Sequence, residues 1–260
     1  MKPSKQSIAV TVALSVLLML SAQVSMGETH ATEEFESGAT RPVSIALLPA
    51  HVELMKQKMI RREAQVEEAG ELESYLTNAV AAELEIRGYQ LHLLSADDIN
   101  SDPELQELVV DADRRFGELL TNVSRKLKKQ VAKRRYNAGD EMKLLAGRLG
   151  VDAIGFIRMQ LIASGKGVQI LNMGMGGTST MLSVSLIDGR TSDIEAYITL
   201  PILRRGKMFG GYEDVMNNPD EEMARFAGAT LDDLPAADPS ARVVQSDEDV
   251  LGDLEALLDE

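Results

Sequence analysis

Histidine is the side chain that most often transfers protons or binds metal ions near neutral pH, and the chain has only His30, His51 and His92. No two of them are close in sequence, and none forms a His-Glu-x-x-His pair. The segment from Gly177 to Met181 resembles a nucleophile elbow but lacks its second glycine. The chain has no cysteine, which excludes thiolate catalysis, disulfides and cysteine-bound metal. We therefore expect no hydrolase triad, no resident metal and no cofactor.

One pattern of soft ligands is compatible with Cu(I). His51, Met55 and Met59 are spaced by four residues. On a helix this spacing would stack one imidazole and two thioethers on one face. The alternative is that the methionines only fill gaps in a core.

A carboxylate-based enzyme site is a second alternative. Glu53, Asp97 and Asp98 follow segments that are predicted to be strands. Paired carboxylates can act as general acid and base where strand ends bring them together. No other pattern in the sequence supports an enzyme, and we expect none.

Two glycine-rich stretches, residues 165–167 and 174–177, suggest a phosphate-binding loop, but neither completes a nucleotide-binding motif. Residues 168–181 are better explained as an apolar excursion between two strands. The excursion either folds back into the core or forms an exposed contact loop for a partner protein or a bilayer surface. Its candidate contact residues are Ile170, Leu171, Met173 and Met175.

A basic face is predicted on a long helix. Residues 114–135 contain nine basic residues and one acidic residue. Such a face could bind anionic lipid or another polyanion, could dock an acidic segment, or could simply be solvated. The candidate residues are Arg114, Arg125, Lys128, Lys129 and Lys133.

The acidity of the chain is concentrated in its C-terminal part. The net charge is -14, yet residues 212–260 hold 15 acidic and only 2 basic residues, so the remainder is nearly neutral. This balance argues against nucleic-acid binding. Residues 241–260 are predicted to form an acidic amphipathic tail helix, whose apolar stripe includes Leu254, Leu257 and Leu258.

The elements that would position these residues follow from periodicity. Residues 43–48 form an apolar run typical of a strand covered on both faces, and residues 90–94 are expected to pair parallel to it after a helix over 66–88. A long amphipathic helix follows Pro103, with its apolar stripe over 105–131, and a shorter helix spans 140–150.

Further strands are predicted over 154–162, 182–186 and 194–200. The last two alternate apolar and polar residues, which predicts an antiparallel hairpin with one solvent-facing side. The fold class is therefore mixed α/β, a two-layer or three-layer sandwich with a mixed sheet.

The chain ends extend this domain. Lys2 and Lys5 precede an apolar run over 8–20, followed by the triplet Ser25-Met26-Gly27, which is the order of a secretory signal peptide. We expect residues 1–27 to be a signal peptide, 28–41 a flexible lead-in, 42–203 the α/β domain, and 204–240 a peripheral segment with a linker. The predicted location is the periplasm, and peripheral association with the outer membrane is compatible with this prediction. Without cysteine the protein cannot be a lipoprotein.

Four stretches carry a resemblance to a group of bacterial envelope proteins. They are residues 43–49 (VSIALLP), 85–89 (EIRGY), 144–153 (LLAGRLGVDA) and 183–191 (SVSLIDGRT). The group includes the curli-secretion pore subunit and the outer-membrane activator of a penicillin-binding protein, and the likeness spans about residues 42–200. Many members of the group are lipoproteins, and Ser192 stands where they often have glycine.

The resemblance implies a non-enzymatic accessory domain that binds partners or assembles into rings. The pore-forming members have membrane hairpins, for which residues 168–181 are too short. We therefore expect a periplasmic binding or assembly accessory protein, whose partner is an envelope protein or a second copy of the chain.

Overall fold

The structure is a computed structural model that describes residues 28–57, 62–123, 131, 136–164, 178–200 and 212–237. The predicted signal segment and tail helix lie outside these ranges, as do residues 168–177 of the predicted excursion. Residues 178–181, which the sequence analysis assigned to the excursion, belong instead to a strand. The strands are β1 (Glu28–Ala31), β2 (Ser44–Leu47), β3 (His51–Gln57), β4 (Arg62–Ala64), β5 (Gln90–Leu93), β6 (Ala153–Ser164), β7 (Thr178–Asp188) and β8 (Ile194–Leu200). The helices are α1 (Glu33–Ser37), α2 (Val66–Ile86), α3 (Ala96–Ser101), α4 (Pro103–Val123), α5 (Asp140–Leu149), α6 (Tyr212–Asn217) and α7 (Pro219–Leu231).

The described strands form one mixed sheet in the order β1-β8-β7-β6-β2-β5. β2 pairs with the first part of β6 and β3 with its second part, and β4 lies beside β3. The predicted crossover is confirmed, because β5 runs parallel to β2. The predicted hairpin is confirmed as well, because β7 and β8 pair antiparallel.

Helices cover both faces of the sheet. Side chains alternate between faces along a strand, and β2 shows the result directly. Ile45 and Leu47 join a core that includes residues of α2 and α7, whereas Ala46 joins a second core with residues of α4 and α5. The architecture is therefore a three-layer α/β sandwich, which confirms the predicted fold class.

The described part of the long helix's apolar stripe faces the core, as predicted. Leu105, Ala112 and Phe116 are at most 7% exposed, and Leu108, Val109, Leu119 and Leu120 are half-buried against the same core. Val131, further along the predicted stripe, is also buried. Phe116 stacks on Phe156 of β6 with ring centroids 4.4 Å apart. The helix therefore packs on the sheet through this stripe. Within the described ranges every helix is too short or too polar to span a bilayer.

The prediction that one side of the β7–β8 hairpin faces solvent is wrong. Ser183, Ser185 and Thr199 are at most 5% exposed, and every residue of β8 is buried or half-buried. Burial raises the pKa of Tyr197, whose phenol shares a hydrogen bond with Ser183. Alternation of polarity identified the two faces correctly but did not reveal that both are covered.

The expected flexible lead-in over residues 28–41 is also wrong. β1 pairs antiparallel with β8, and α1 buries Phe35 completely. Thr32 caps α1 by accepting a hydrogen bond from the backbone N–H of Phe35 at 3.2 Å. A single aromatic residue and a capping threonine thus hold a segment that has no periodic pattern.

The described part of residues 204–240 belongs to the core rather than to the periphery. Helix α7 packs along α2 and buries Met223, Phe226 and Leu231. Beyond it, the Tyr89 hydroxyl donates to the carbonyl oxygen of Pro235 at 2.8 Å, and burial raises the pKa of Tyr89 to about 12. The composition of this segment did not predict its place in the core, because only a few large apolar residues in it are buried.

Candidate functional site

Of the predicted contact residues, only Arg114 lies within the described ranges. Its guanidinium donates to Asp111 at 3.0 Å and to Glu118 at 3.1 Å, and the side chain is 51% exposed. The neighbouring Arg115 donates to Glu141 of α5 at 3.2 Å.

Over the described part of the helix, Arg114 and Arg115 are thus paired with acidic residues one turn away and on α5. The other seven basic residues of the predicted basic face lie outside the described residues, so that face stays a prediction. Exposed pairs of this kind contribute little to stability. The remaining candidates lie outside the described residues: Ile170, Leu171, Met173, Met175, Arg125, Lys128, Lys129, Lys133, Leu254, Leu257 and Leu258.

The soft-metal pattern is not realised as a helix. His51 and Met55 lie on strand β3, where four residues span about 13 Å. Met59 lies outside the described residues. Among the described residues no group of three histidine or acidic side chains could hold a metal ion. The prediction that His51 and Met55 stack on one face of a helix, on which the Cu(I) hypothesis depended, is therefore wrong.

The candidate carboxylates have separate structural roles. Glu53 on β3 accepts a hydrogen bond from the Gln160 amide at 2.8 Å. Asp98 forms a capping box with Ser95 at the start of α3, and the hydrogen bond from the Ser95 hydroxyl lowers the pKa of Asp98. Asp97 lies in the first turn of the same helix, where an acid is favourable to the helix dipole. These contacts are those of helix and strand stabilisation.

A cavity of about 150 Å³ lies where β2 and β6 begin and β7 ends. Five ionisable side chains line it, namely Arg41, Asp152, Asp188, Arg190 and Glu195. Sequence reasoning missed this cluster, since its members come from three segments that are distant in sequence, around Arg41, Asp152 and residues 188–195. The Asp-Gly turn at 188–189 was the one local signal that could have indicated part of it.

Two of these acids fix strand ends. Asp152 accepts hydrogen bonds from the backbone N–H of Val43 at 3.1 Å and from both the N–H and the hydroxyl of Ser44 at 3.0 Å. These bonds, that of the Ser44 backbone first, lower the pKa of Asp152. Asp188 accepts from the backbone N–H groups of Arg190 and Thr191, both at 2.7 Å, and so closes the β7–β8 turn.

The other lining residues anchor the N-terminal segment. Glu195 is 3% exposed and accepts hydrogen bonds from the hydroxyls of Thr32 at 2.6 Å and Thr40 at 2.8 Å. Arg41 donates to the carbonyl oxygens of Phe35, Glu36 and Ala236. The cavity is therefore lined by groups that already stabilise the junction of several segments.

The opposite end of the sheet carries two hairpin connections. Gln57 at the end of β3 lies opposite Ser164 at the end of β6, and Ala163 lies opposite Thr178 at the start of β7. The connecting segments 58–61 and 165–177 therefore leave the sheet at the same end. Both contain apolar and basic residues and no acidic residue.

Comparison with known proteins yields no family. No family model matches the chain, and no curated protein matches it. Two solved structures of PelC dodecamers from Paraburkholderia phytofirmans are similar at a distance. One, a variant, is 11% identical over 77% of this chain and 96% of that chain with a TM-score of 0.35. The other is 9% identical over 79% and 97% with a TM-score of 0.32. At these values the likeness says nothing about what this chain binds, and the resemblance noted in the sequence stays a prediction.

Proposed function

We propose that this chain is a non-enzymatic binding or assembly accessory protein of the bacterial cell envelope, exported to the periplasm. It contacts its partner through the end of the sheet from which segments 58–61 and 165–177 emerge. The observation that carries the proposal is the register of β3, β6 and β7, in which the described residues that flank the two segments, Gln57, Ser164 and Thr178, lie at one end of the sheet.

The composition of these connections supports a contact role. Segment 58–61 reads Lys-Met-Ile-Arg, and segment 165–177 contains three methionine or leucine residues together with Ile170 and Lys166. Apolar residues at the end of a hairpin are costly in water unless they are covered. Basic residues beside them favour a partner with negative charge.

The ionisable side chains at the other end of the sheet support the absence of catalysis. Asp152, Asp188 and Glu195 each accept at least two hydrogen bonds from backbone or hydroxyl donors. A general base must be free to take a proton from substrate. Acids that are held in this way suit a scaffold better than a reaction site.

Site-specific photo-crosslinking in cells tests the proposal. A photo-reactive residue at Met175 is expected to capture an envelope protein or a second copy of the chain. The matched control carries the same photo-reactive residue in place of Ile86. Ile86 is 70% exposed and is the last residue of α2. A protein adduct at position 175 that is absent at 86 supports the proposal. No adduct at 175, equal adducts at both positions, or an adduct with lipid alone would contradict it.

A further inference from the structure

The outer edge of strand β5 has backbone groups that no described strand binds. β5 is the last strand in the sheet order, and among the described strands it pairs with β2 alone. The N–H groups of Gln90 and Leu94 donate to carbonyl oxygens on the β2 side at 2.8 and 3.1 Å. Because the residues of a parallel strand bond alternately to its two sides, the N–H and C=O groups of Leu91 and Leu93 point away from β2.

The chain returns to this edge at the end of the described residues. The N–H of Ala237 donates to the carbonyl oxygen of Arg87 at 2.8 Å, in the turn between α2 and β5. The Tyr89 hydroxyl, just before β5, donates to the carbonyl oxygen of Pro235 at 2.8 Å. The chain beyond Ala237 therefore starts beside the first residues of β5. The other long segments outside the described ranges adjoin β1, α4, β6, β7 and β8 instead.

The residues that follow Ala237 are suited to a strand. Residues 242–245 read Arg-Val-Val-Gln, and valine favours strands because its branched side chain packs well on a pleated surface. Pro239 precedes them, and they are followed by Ser246, a residue type that commonly caps the start of a helix. A strand over 241–245 would shorten the tail helix predicted from the sequence to residues 246–260.

We infer that residues 241–245 dock on the outer edge of β5 as a parallel strand of the same chain. Continuity favours one register, because Val243 lies as far along the chain from Ala237 as Leu93 lies from Arg87. Val243 then lies opposite Leu93 and covers this leucine, which is 40% exposed. The docked strand would complete the edge of the sheet at β5.

The topology of the sheet is compatible with this strand. β8 runs in the same direction as β2, because β6, β7 and β8 pair antiparallel in turn and β2 pairs parallel to β6. Helix α7 packs along α2, on the same face of the sheet. A connection from β8 through α7 to a strand beyond β5 therefore has the same hand as the crossover from β2 through α2 to β5. Crossovers between parallel strands almost always share one hand, and the docked strand follows that rule.

Cysteine trapping in the full chain tests the docking, because the natural chain has no cysteine. Opposite residues on neighbouring strands have Cα atoms about 4.8 Å apart, within the range that a disulfide spans. The double variant Leu93→Cys, Val243→Cys is therefore expected to form a disulfide within one chain on mild oxidation. The matched control is Val43→Cys, Val243→Cys. Val43 is 51% exposed and lies beside Gln90 on the β2 side, so a loose tail would reach it as easily as Leu93.

The two cysteine pairs distinguish a docked strand from a loose tail. In dilute protein we expect several-fold more in-chain disulfide from the pair with Leu93 than from the pair with Val43. Equal yields would show that the tail is a loose tether and would overturn the inference. A disulfide that joins two chains would place the segment on a second copy and would overturn it as well.

Hydrogen exchange provides a second measurement, with two matched proline variants. In a parallel pair that places Val243 opposite Leu93, the N–H of Val244 donates to the Leu93 carbonyl oxygen, whereas the N–H of Val243 points to the open side. Proline is tolerated in an edge strand where its missing N–H would face solvent. Val244→Pro is therefore expected to speed exchange of the Leu93 amide several-fold, and Val243→Pro to leave that exchange nearly unchanged. The Leu94 amide, which donates to Leu47, is the internal reference.

Two outcomes of the exchange experiment would refute the docking. One is a Leu93 amide that exchanges equally fast in the natural chain and in Val244→Pro, and the other is an equal effect of the two prolines. The β5 edge is separate from the hairpin end to which the contact role is assigned, so either proposal can fail without the other.

Discussion

Replacing Phe35 with alanine tests whether residues 28–41 are part of the folded domain. The side chain is fully buried in the core that also contains residues of α2 and α7, and the Arg41 guanidinium lies 5.7 Å from the ring centroid. A buried phenylalanine replaced by alanine costs about 3–5 kcal/mol, because transfer energy is lost and a cavity is left. We expect the free energy of unfolding, measured by urea titration followed by circular dichroism, to fall by that amount.

Val66→Ala is the matched control for this measurement. Val66 is apolar like Phe35 but is 79% exposed at the start of α2. Its replacement is expected to change stability by less than about 0.5 kcal/mol. If the two variants differ by less than about 1 kcal/mol, Phe35 does not contribute the contacts described here, and residues 28–41 are the flexible lead-in that composition suggests.

Three further predictions concern the end of the sheet that holds the cavity. Ser192 has φ +64° and a buried hydroxyl without a hydrogen-bond partner, so Ser192→Gly is expected to raise stability by about 1 kcal/mol, seen as a higher melting temperature. A side chain at Gly189 would place its Cβ 2.5 Å from the Cβ of Ala146, so Gly189→Ala is expected to lower stability by about 1–3 kcal/mol in urea titration. Hydrogen bonds from Ser44 hold the pKa of Asp152 below its ordinary value in the folded state. The stabilising effect of this carboxylate is therefore present above the unfolded pKa and is lost as the pH falls through the folded pKa. Asp152→Asn should therefore flatten the acid side of the stability curve, and an unchanged acid side would contradict this role.

Elements with a strong local pattern were predictable from the sequence. The apolar run that contains β2, the stripe of α2 and the alternation in β7 and β8 each carry enough residues for the period to be unambiguous. β3 was missed although Val52 and Leu54 alternate with polar neighbours in the same way. Its strand conformation depends on seven pairs with β6, which are not visible locally.

Contacts between distant segments account for the other misses. The hydrogen bond between Thr32 and Glu195 joins residues 163 positions apart, and it helps to hold a segment that has no pattern of its own. The cavity likewise collects Arg41, Asp152 and Asp188 from three separate places in the chain. Periodicity predicts which face of an element is buried, but it does not predict which two elements meet.

The acidic side chains at the cavity end of the sheet are used as hydrogen-bond acceptors for backbone N–H groups. At the end with the cavity, Asp152 satisfies the first backbone N–H groups of the strand β2, and Asp188 satisfies those of the turn before β8. Each of these donors would otherwise lack a partner at a junction where four segments meet. Replacing either acid would remove these hydrogen bonds and loosen the strand ends that they hold. The contact role proposed above does not depend on these acids, since it is assigned to the other end of the sheet, where Gln57, Ser164 and Thr178 lie.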